Sequence, residues 1–161
     1  MIDNSKIIYL HGLESSSQSG KARQFAAKFP GMVTPDFTGS LDERMTQLIP
    51  ILADKTGWTI IGSSFGGLMG TVFTCKHPTQ VRKLILLAPA LLREHFASHL
   101  DLEPVSVPTV IVHGTEDDIV PLEPVRALAE RLFTNLKHIV VDDGHRLQKV
   151  FGELNWEEII S

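Results

Sequence analysis

One cysteine, one tyrosine and two tryptophans are all that 161 residues hold of these types. The lone Cys75 cannot close an intramolecular disulfide, so nothing in the fold depends on an oxidising compartment. Positive charge is also scarce: 15 Lys and Arg stand against 19 Asp and Glu, for a net charge of −4. Such a balance lacks the basic field that nucleic acid or an anionic membrane surface requires. No segment approaches the ~18 consecutive apolar residues needed to cross a bilayer. Met1 to Lys6 has neither the charged lead nor the long apolar stretch of a signal peptide, so a cytoplasmic location is expected. Metal-site spacings such as H-E-x-x-H or paired C-x-x-C are missing, and the glycine-rich turn lacks the lysine of a phosphate loop. No metal and no cofactor is implied.

What is present is an ordinary globular balance, 43% hydrophobic and 21% charged, in a length that fits one domain over residues 1–161. Short apolar runs bounded by turn residues mark strands at 7–10, 32–34, 58–61, 83–87, 108–112 and 138–141. Several are apolar at every position, as in parallel strands covered on both faces. Helical patterns alternate with them. Ser40-Leu41-Asp42-Glu43 has the form of a capping box, followed by an apolar face of Leu41, Met45, Leu48, Ile49 and Leu52. Similar faces run through Phe65, Leu68, Met69, Val72 and Phe73, and through Val125, Leu128, Leu132 and Phe133. This alternation predicts a mostly parallel, three-layer α/β sheet of about six strands. Leu13 to Gly20 reads as a flexible loop, and Ala90 to Pro108 as the longest irregular connection, with room for a short helix near Leu91–Leu100.

Gly62-Ser63-Ser64-Phe65-Gly66 reads G-x-S-x-G between the apolar run Trp58–Ile61 and a helical pattern. Strand, sharp turn and helix are the context in which the central serine becomes a nucleophile. Asp117 follows the strand at 108–112, and His145 follows the strand at 138–141. Ser, then Asp, then His, each just past a strand end, is the triad order of one fold.

With these residues, the chain resembles the α/β-hydrolase superfamily, and more narrowly its small, lid-poor bacterial esterase-like members of the YqiA and UPF0227 type. The likeness lies in four blocks: Ile8 to Leu13 with the serine-rich loop and Lys21-Ala22, the elbow Gly62 to Gly67, His113 to Pro121 in the form H-G-x-x-D-x-x-V-P, and Asp143 to Leu147. The superfamily's two strands ahead of the His-Gly loop are absent, because that strand starts at about Ile7. A cap domain has no room in the short connections. The resemblance implies Ser64 as nucleophile, His145 as general base and Asp117 as the orienting carboxylate. It also implies an oxyanion hole from the backbone amides of Leu13 and Phe65.

Rivals stand beside each assignment. Ser63 sits one position early for the elbow, Asp118 adjoins Asp117, and Glu94 follows the preceding strand. His11 and His113 suit structural roles at strand ends, His77 and His138 suit solvent, and His95 and His99 could border a pocket. Phe37, Leu92, Phe96, Ile119 and Leu147 could form its walls, and Cys75 reads as a packing residue. The expected activity is cleavage of a carboxylic ester or thioester, with a small-molecule acyl substrate as the partner. An amide or peptide bond, or silent ligand binding on the same fold, are the alternatives. Substrate identity and oligomeric state are not written in these motifs.

Overall fold

The computed structural model describes residues 2–92, 94 and 101–161. Five strands, β1 (Ile7–Leu10), β2 (Trp58–Ser63), β3 (Val81–Leu87), β4 (Thr109–Gly114) and β5 (Leu136–Val141), pair in chain order. Every pairing is parallel. The run at 32–34 stops short of a strand. Val33 makes a single bridge on the outer edge of β1, donating to the Ile7 carbonyl at 2.8 Å and accepting from the Tyr9 amide at 3.0 Å.

The helices are α1 (Gly20–Lys28), α2 (Leu41–Leu52), α3 (Phe65–Lys76), α4 (Leu122–Leu132) and α5 (Trp156–Ile160). Apolar residues on alternating strand positions divide between two cores. Ile8, Leu10, Ile60, Leu84, Leu86 and Ile111 pack against α2, α3 and α4. Ile7, Tyr9, Ile61, Ile85, Val110 and Val112 pack against α1 and α5. Because both faces are covered, β1 and β4 are buried along their whole length.

Local sequence sets the helix ends. The capping box of α2 forms, with Ser40 Oγ accepting from the Glu43 amide at 3.2 Å and Glu43 Oε1 from the Ser40 amide at 3.1 Å. Leu48 and Leu52 are buried, but Ile49 is 47% exposed while Arg44 is buried. Ile49 lies at the margin of the apolar stripe, and the helix rolls toward its Arg44 and Ile51 side. α5 lies outside the helical patterns read from the sequence. It is capped by Asn155, whose side chain accepts from the Glu158 amide, and buries Trp156 against Phe25 and Phe151 at ring separations of 5.0 Å. The short helix expected near Leu91–Leu100 falls mostly outside the described residues. No helix among the described residues is long and apolar enough to cross a membrane.

From β1 the chain runs through α1 to Val33 on one side, then through α2 to β2 on the other. The direction of winding therefore reverses at β1. In open α/β sheets, the crevice beyond the carboxyl ends of the strands at such a reversal is where ligands sit. The loops after β1 and β2 meet there.

The tightest contact in the sheet–helix packing is at Gly66, where a Cβ would stand 1.9 Å from the Leu10 carbonyl oxygen. Gly66→Ala is expected to lose at least about 3 kcal/mol of stability in urea unfolding. Gly152→Ala, which meets nothing within 4 Å, is expected to stay within ~0.5 kcal/mol of wild type.

Candidate active site

Ser64 stands between β2 and α3 with φ 54° and ψ −115°, a conformation rarely adopted by a residue with a Cβ. Backbone hydrogen bonds hold it there. Its amide donates to the Leu87 carbonyl at 2.9 Å, and its carbonyl accepts from the amides of Gly67 and Ala90, both at 2.9 Å. Gly62 and Gly66 leave no room for side chains: a Cβ on Gly62 would lie 2.4 Å from the Gly66 carbonyl oxygen. The strained turn lifts the Ser64 hydroxyl clear of the sheet.

Past β4, Asp117 turns its carboxylate inward. Oδ1 accepts from the amides of Ile119 at 2.9 Å and Val120 at 2.8 Å, and the side chain is fully buried. Past β5, His145 spans the gap between the two. Its Nδ1 lies 2.7 Å from Asp117 Oδ2, and its Nε2 lies 3.1 Å from Ser64 Oγ. Because a carboxylate oxygen only accepts, the proton sits on Nδ1 and the Nε2 lone pair faces the serine. Asp118 is exposed, and the carboxylate in contact with His145 is that of Asp117. Ser63 faces the other way, toward the Tyr9 hydroxyl.

The loop that carries His145 is pinned by the first residue of the fourth motif block, to which the sequence alone assigns no role. Asp143 accepts from the Gly144 amide at 2.8 Å and the Val150 amide at 2.9 Å. Burial works against its ionisation, but amide donors from Val150, Gly144 and Lys149 outweigh that and hold the carboxyl below its ordinary range. The same loop is docked on β4, since a Cβ on Gly114 would stand 2.1 Å from the Asp143 carbonyl oxygen.

The His11-Gly12-Leu13 loop comes up on the opposite side. His11 is buried, its Nε2 accepting from the Phe37 amide at 2.9 Å and its Nδ1 donating to the Gly12 carbonyl at 2.8 Å. This is the structural role expected for it. A Cβ on Gly12 would be 3.4 Å from Ser64 Cβ and 3.8 Å from the Phe65 amide nitrogen, so the two loops touch at the elbow. Leu13 is half exposed at the head of this loop. Buried Arg44 lays its guanidinium 5.3 Å from the centre of the Phe65 ring.

Other expectations part company with the structure. Leu147 is buried in the core beside α1 and α5. Phe37 is likewise buried, packed on the His11 ring, whereas Ile119 is exposed and Leu92 partly buried. Phe96, His95 and His99 fall outside the described residues. His138, expected in solvent, has both ring nitrogens buried without partners, its ring stacked on His113 at 6.5 Å. It faces inward because it shares the sheet face of Ile111, which packs under α4. Cys75 is partly buried on α3, and burial pushes its thiol up to about 11, too high for a nucleophile. Among the described residues no group of three or more His, Cys, Asp or Glu could hold a metal ion. A depression lined by Lys6, Gly57, Arg82 and Ser161 lies at the amino ends of the strands, opposite Ser64.

Comparison with known proteins agrees with this architecture. Residues 6–109 match the Uncharacterised protein family (UPF0227), a span that contains the His11 loop and the elbow. The chain belongs to that family. No curated protein matches it. Among solved structures, this UPF0227 chain is similar to a Xanthomonas campestris protein described as a hydrolase candidate of the alpha/beta superfamily, with 26% identity over 91% of both chains and a TM-score of 0.72. It is also similar to Est1E from Butyrivibrio proteoclasticus, with 19% identity over 96% of this chain and 84% of that one, TM-score 0.75. The metagenome-derived lipolytic enzymes LipS and LipT give 14% identity over 98% and 94%, TM-score 0.78. The fold is that of the α/β hydrolases.

Tyr9, the only tyrosine of this UPF0227 member, offers a clean optical probe beside the elbow. Burial pushes its hydroxyl up to about 12, against partial relief from Ser63 and Ser19. The ionised form is thus disfavoured in the folded state. The corresponding stability is present below the unfolded value of 10.0 and is lost as pH rises from there through about 12. Native protein is expected to show no tyrosinate absorbance at pH 10.5, where urea-unfolded protein shows most of it.

Proposed function

We propose that this protein is a serine hydrolase that cleaves a carboxylic ester or thioester through an acyl-enzyme intermediate. The observation that carries this reading is the unbroken line from Ser64 Oγ to His145 Nε2 at 3.1 Å and from His145 Nδ1 to Asp117 Oδ2 at 2.7 Å. A serine hydroxyl is a poor nucleophile until a base removes its proton during attack. His145 takes that proton at Nε2 as Ser64 Oγ bonds to the acyl carbon, and Asp117 stabilises the imidazolium that forms. The amides of Leu13 and Phe65 receive the oxyanion. When the intermediate collapses, His145 returns the proton to the leaving alcohol or thiol. Water then attacks the acyl-serine, giving its proton to His145, and the free acid departs with Ser64 restored.

Solved structures of this fold include proteins named as a monoacylglycerol lipase, lipolytic enzymes and an epoxide hydrolase, so the fold alone does not fix the bond. What favours acyl transfer is the serine at the elbow in contact with an imidazole. The short connections support small or exposed acyl substrates. A single free thiol is compatible with a cytoplasmic setting.

A fluorophosphonate probe is expected to label wild type on Ser64 and to leave Ser64→Ala and His145→Ala unlabelled. Asp117→Asn is expected to lower kcat on a short-chain ester or thioester roughly 10,000-fold with little change in fold. Folded wild type that resists the probe while retaining ligand would overturn the reading in favour of a binding protein. Faster turnover of a matched amide would move the substrate class to amides.

A further inference from the structure

Asp117 Oδ2 is shared. Besides His145, it lies 3.2 Å from Nε2 of His113, a residue of β4 whose side chain is fully buried, as is that of Asp117. The same Nε2 lies 2.9 Å from the Val120 carbonyl oxygen. A carbonyl oxygen only accepts, so Nε2 carries the proton and donates it to Val120, which leaves the same N–H edge against Asp117 Oδ2. Nδ1 of His113 is buried without a partner, and the ring is backed by His138 at 6.5 Å. Val120 in turn donates its amide to Asp117 Oδ1 at 2.8 Å. Two hydrogen bonds and the 3.2 Å contact therefore link His113, Val120 and Asp117 in a small ring. Two amides donate to one carboxylate oxygen, while the other meets Nδ1 of His145 at 2.7 Å and lies against the His113 ring edge.

We infer that His113 is a positioning residue for the proposed reaction: its Nε2–H fixes the Asp117 carboxylate so that Oδ2 meets His145 in line. This rests on the triad reading above. The terminal torsion of Asp is broad, so small turns that swing Oδ2 off its line to His145 are opposed only by the hydrogen bonds and contacts on the two oxygens. With the polar edge of His113 against Oδ2, and that edge anchored to the Val120 carbonyl, such a turn is opposed on the Oδ2 side as well. His113 also gives a reason for the histidine four residues ahead of Asp117 in H-G-x-x-D. The strand residue faces inward, and the aspartate comes back over it at the strand end.

Glutamine and asparagine separate this role from mere volume filling. The Gln amide nitrogen reaches the place of Nε2, whereas that of Asn falls near Nδ1, which has no partner here. His113→Gln is expected to keep kcat within about threefold of wild type. His113→Asn and His113→Leu are expected to lose roughly 10- to 100-fold in kcat with KM nearly unchanged. Equal kcat for the Gln and Asn variants at similar Tm, or a loss confined to KM, would overturn the inference. A readout without turnover is the low-field proton NMR signal of His145 Nδ1–H in a Ser64→Ala background. It is expected to persist with Gln and to shift or vanish with Asn. An unchanged signal with Asn overturns the role of His113 even if wild type reacts with the fluorophosphonate. A shifted signal supports that role even if wild type does not react, in which case only the hydrolase reading fails.

Discussion

The contact between Gly66 and the Leu10 carbonyl is the constraint on which the rest of the site depends. α3 sits so close to the ends of β1 and β2 that no side chain fits at Gly66 in its first turn. That closeness leaves the chain one way to pass from strand to helix, through the positive φ of Ser64. Strain of this kind persists only where the surroundings over-determine it. Here they do: α3 is buried continuously from Phe65 to Thr74, and Ser64 is tied to Leu87 and Ala90 by backbone hydrogen bonds. The placement of the Ser64 hydroxyl is thus a product of core packing under it. The neighbouring His11 loop is set by the same packing, since it rides on Leu10.

The other half of the site is built on different physics. Asp117 and His145 lie in loops whose order comes from polar contacts: amides on Asp117 Oδ1, amides on Asp143, and the backbone contact of Gly114 with Asp143. A buried carboxylate is tolerable because its acceptor sites are filled. The two halves meet through one imidazole, His145, which is partly exposed while the Asp117 side chain is fully buried.

Sequence patterns made the strands and the elbow legible because each has a local cause. Apolar runs bounded by turn residues mark parallel strands covered on both faces, and G-x-S-x-G reports a close backbone approach. Asp117 was separable from Asp118 by register alone, which places one carboxylate inward and the other in solvent. What stayed hidden depends on partners distant in the chain. Val33 fails to extend into a strand, though its run looks like the others. The turn after His145 buries Leu147 instead of presenting it. Asp143 looks like any loop acid until Val150 and Gly144 are seen to donate to it. His113 and His138 appear as ordinary strand-end histidines until β4 and β5 pair and stack one ring on the other. α5 had a capping signal in Asn155 and Glu158, but over too few residues to show a period.

The strand order carries a mechanical consequence. Ser64 is at the end of β2 and His145 follows β5, the margin of the sheet, so three strand spacings separate their roots. At roughly 4.8 Å each, that is a lateral reach of about 14 Å. Adjacent strands also rotate by about 20–25°, which sums to roughly 60–75° between β2 and β5. The loop bearing His145 is thus a lever mounted on a twisted plate. A small change in coiling at the centre is magnified at its tip, and the 3.1 Å gap to Ser64 acts as a gauge of the curvature of the whole sheet.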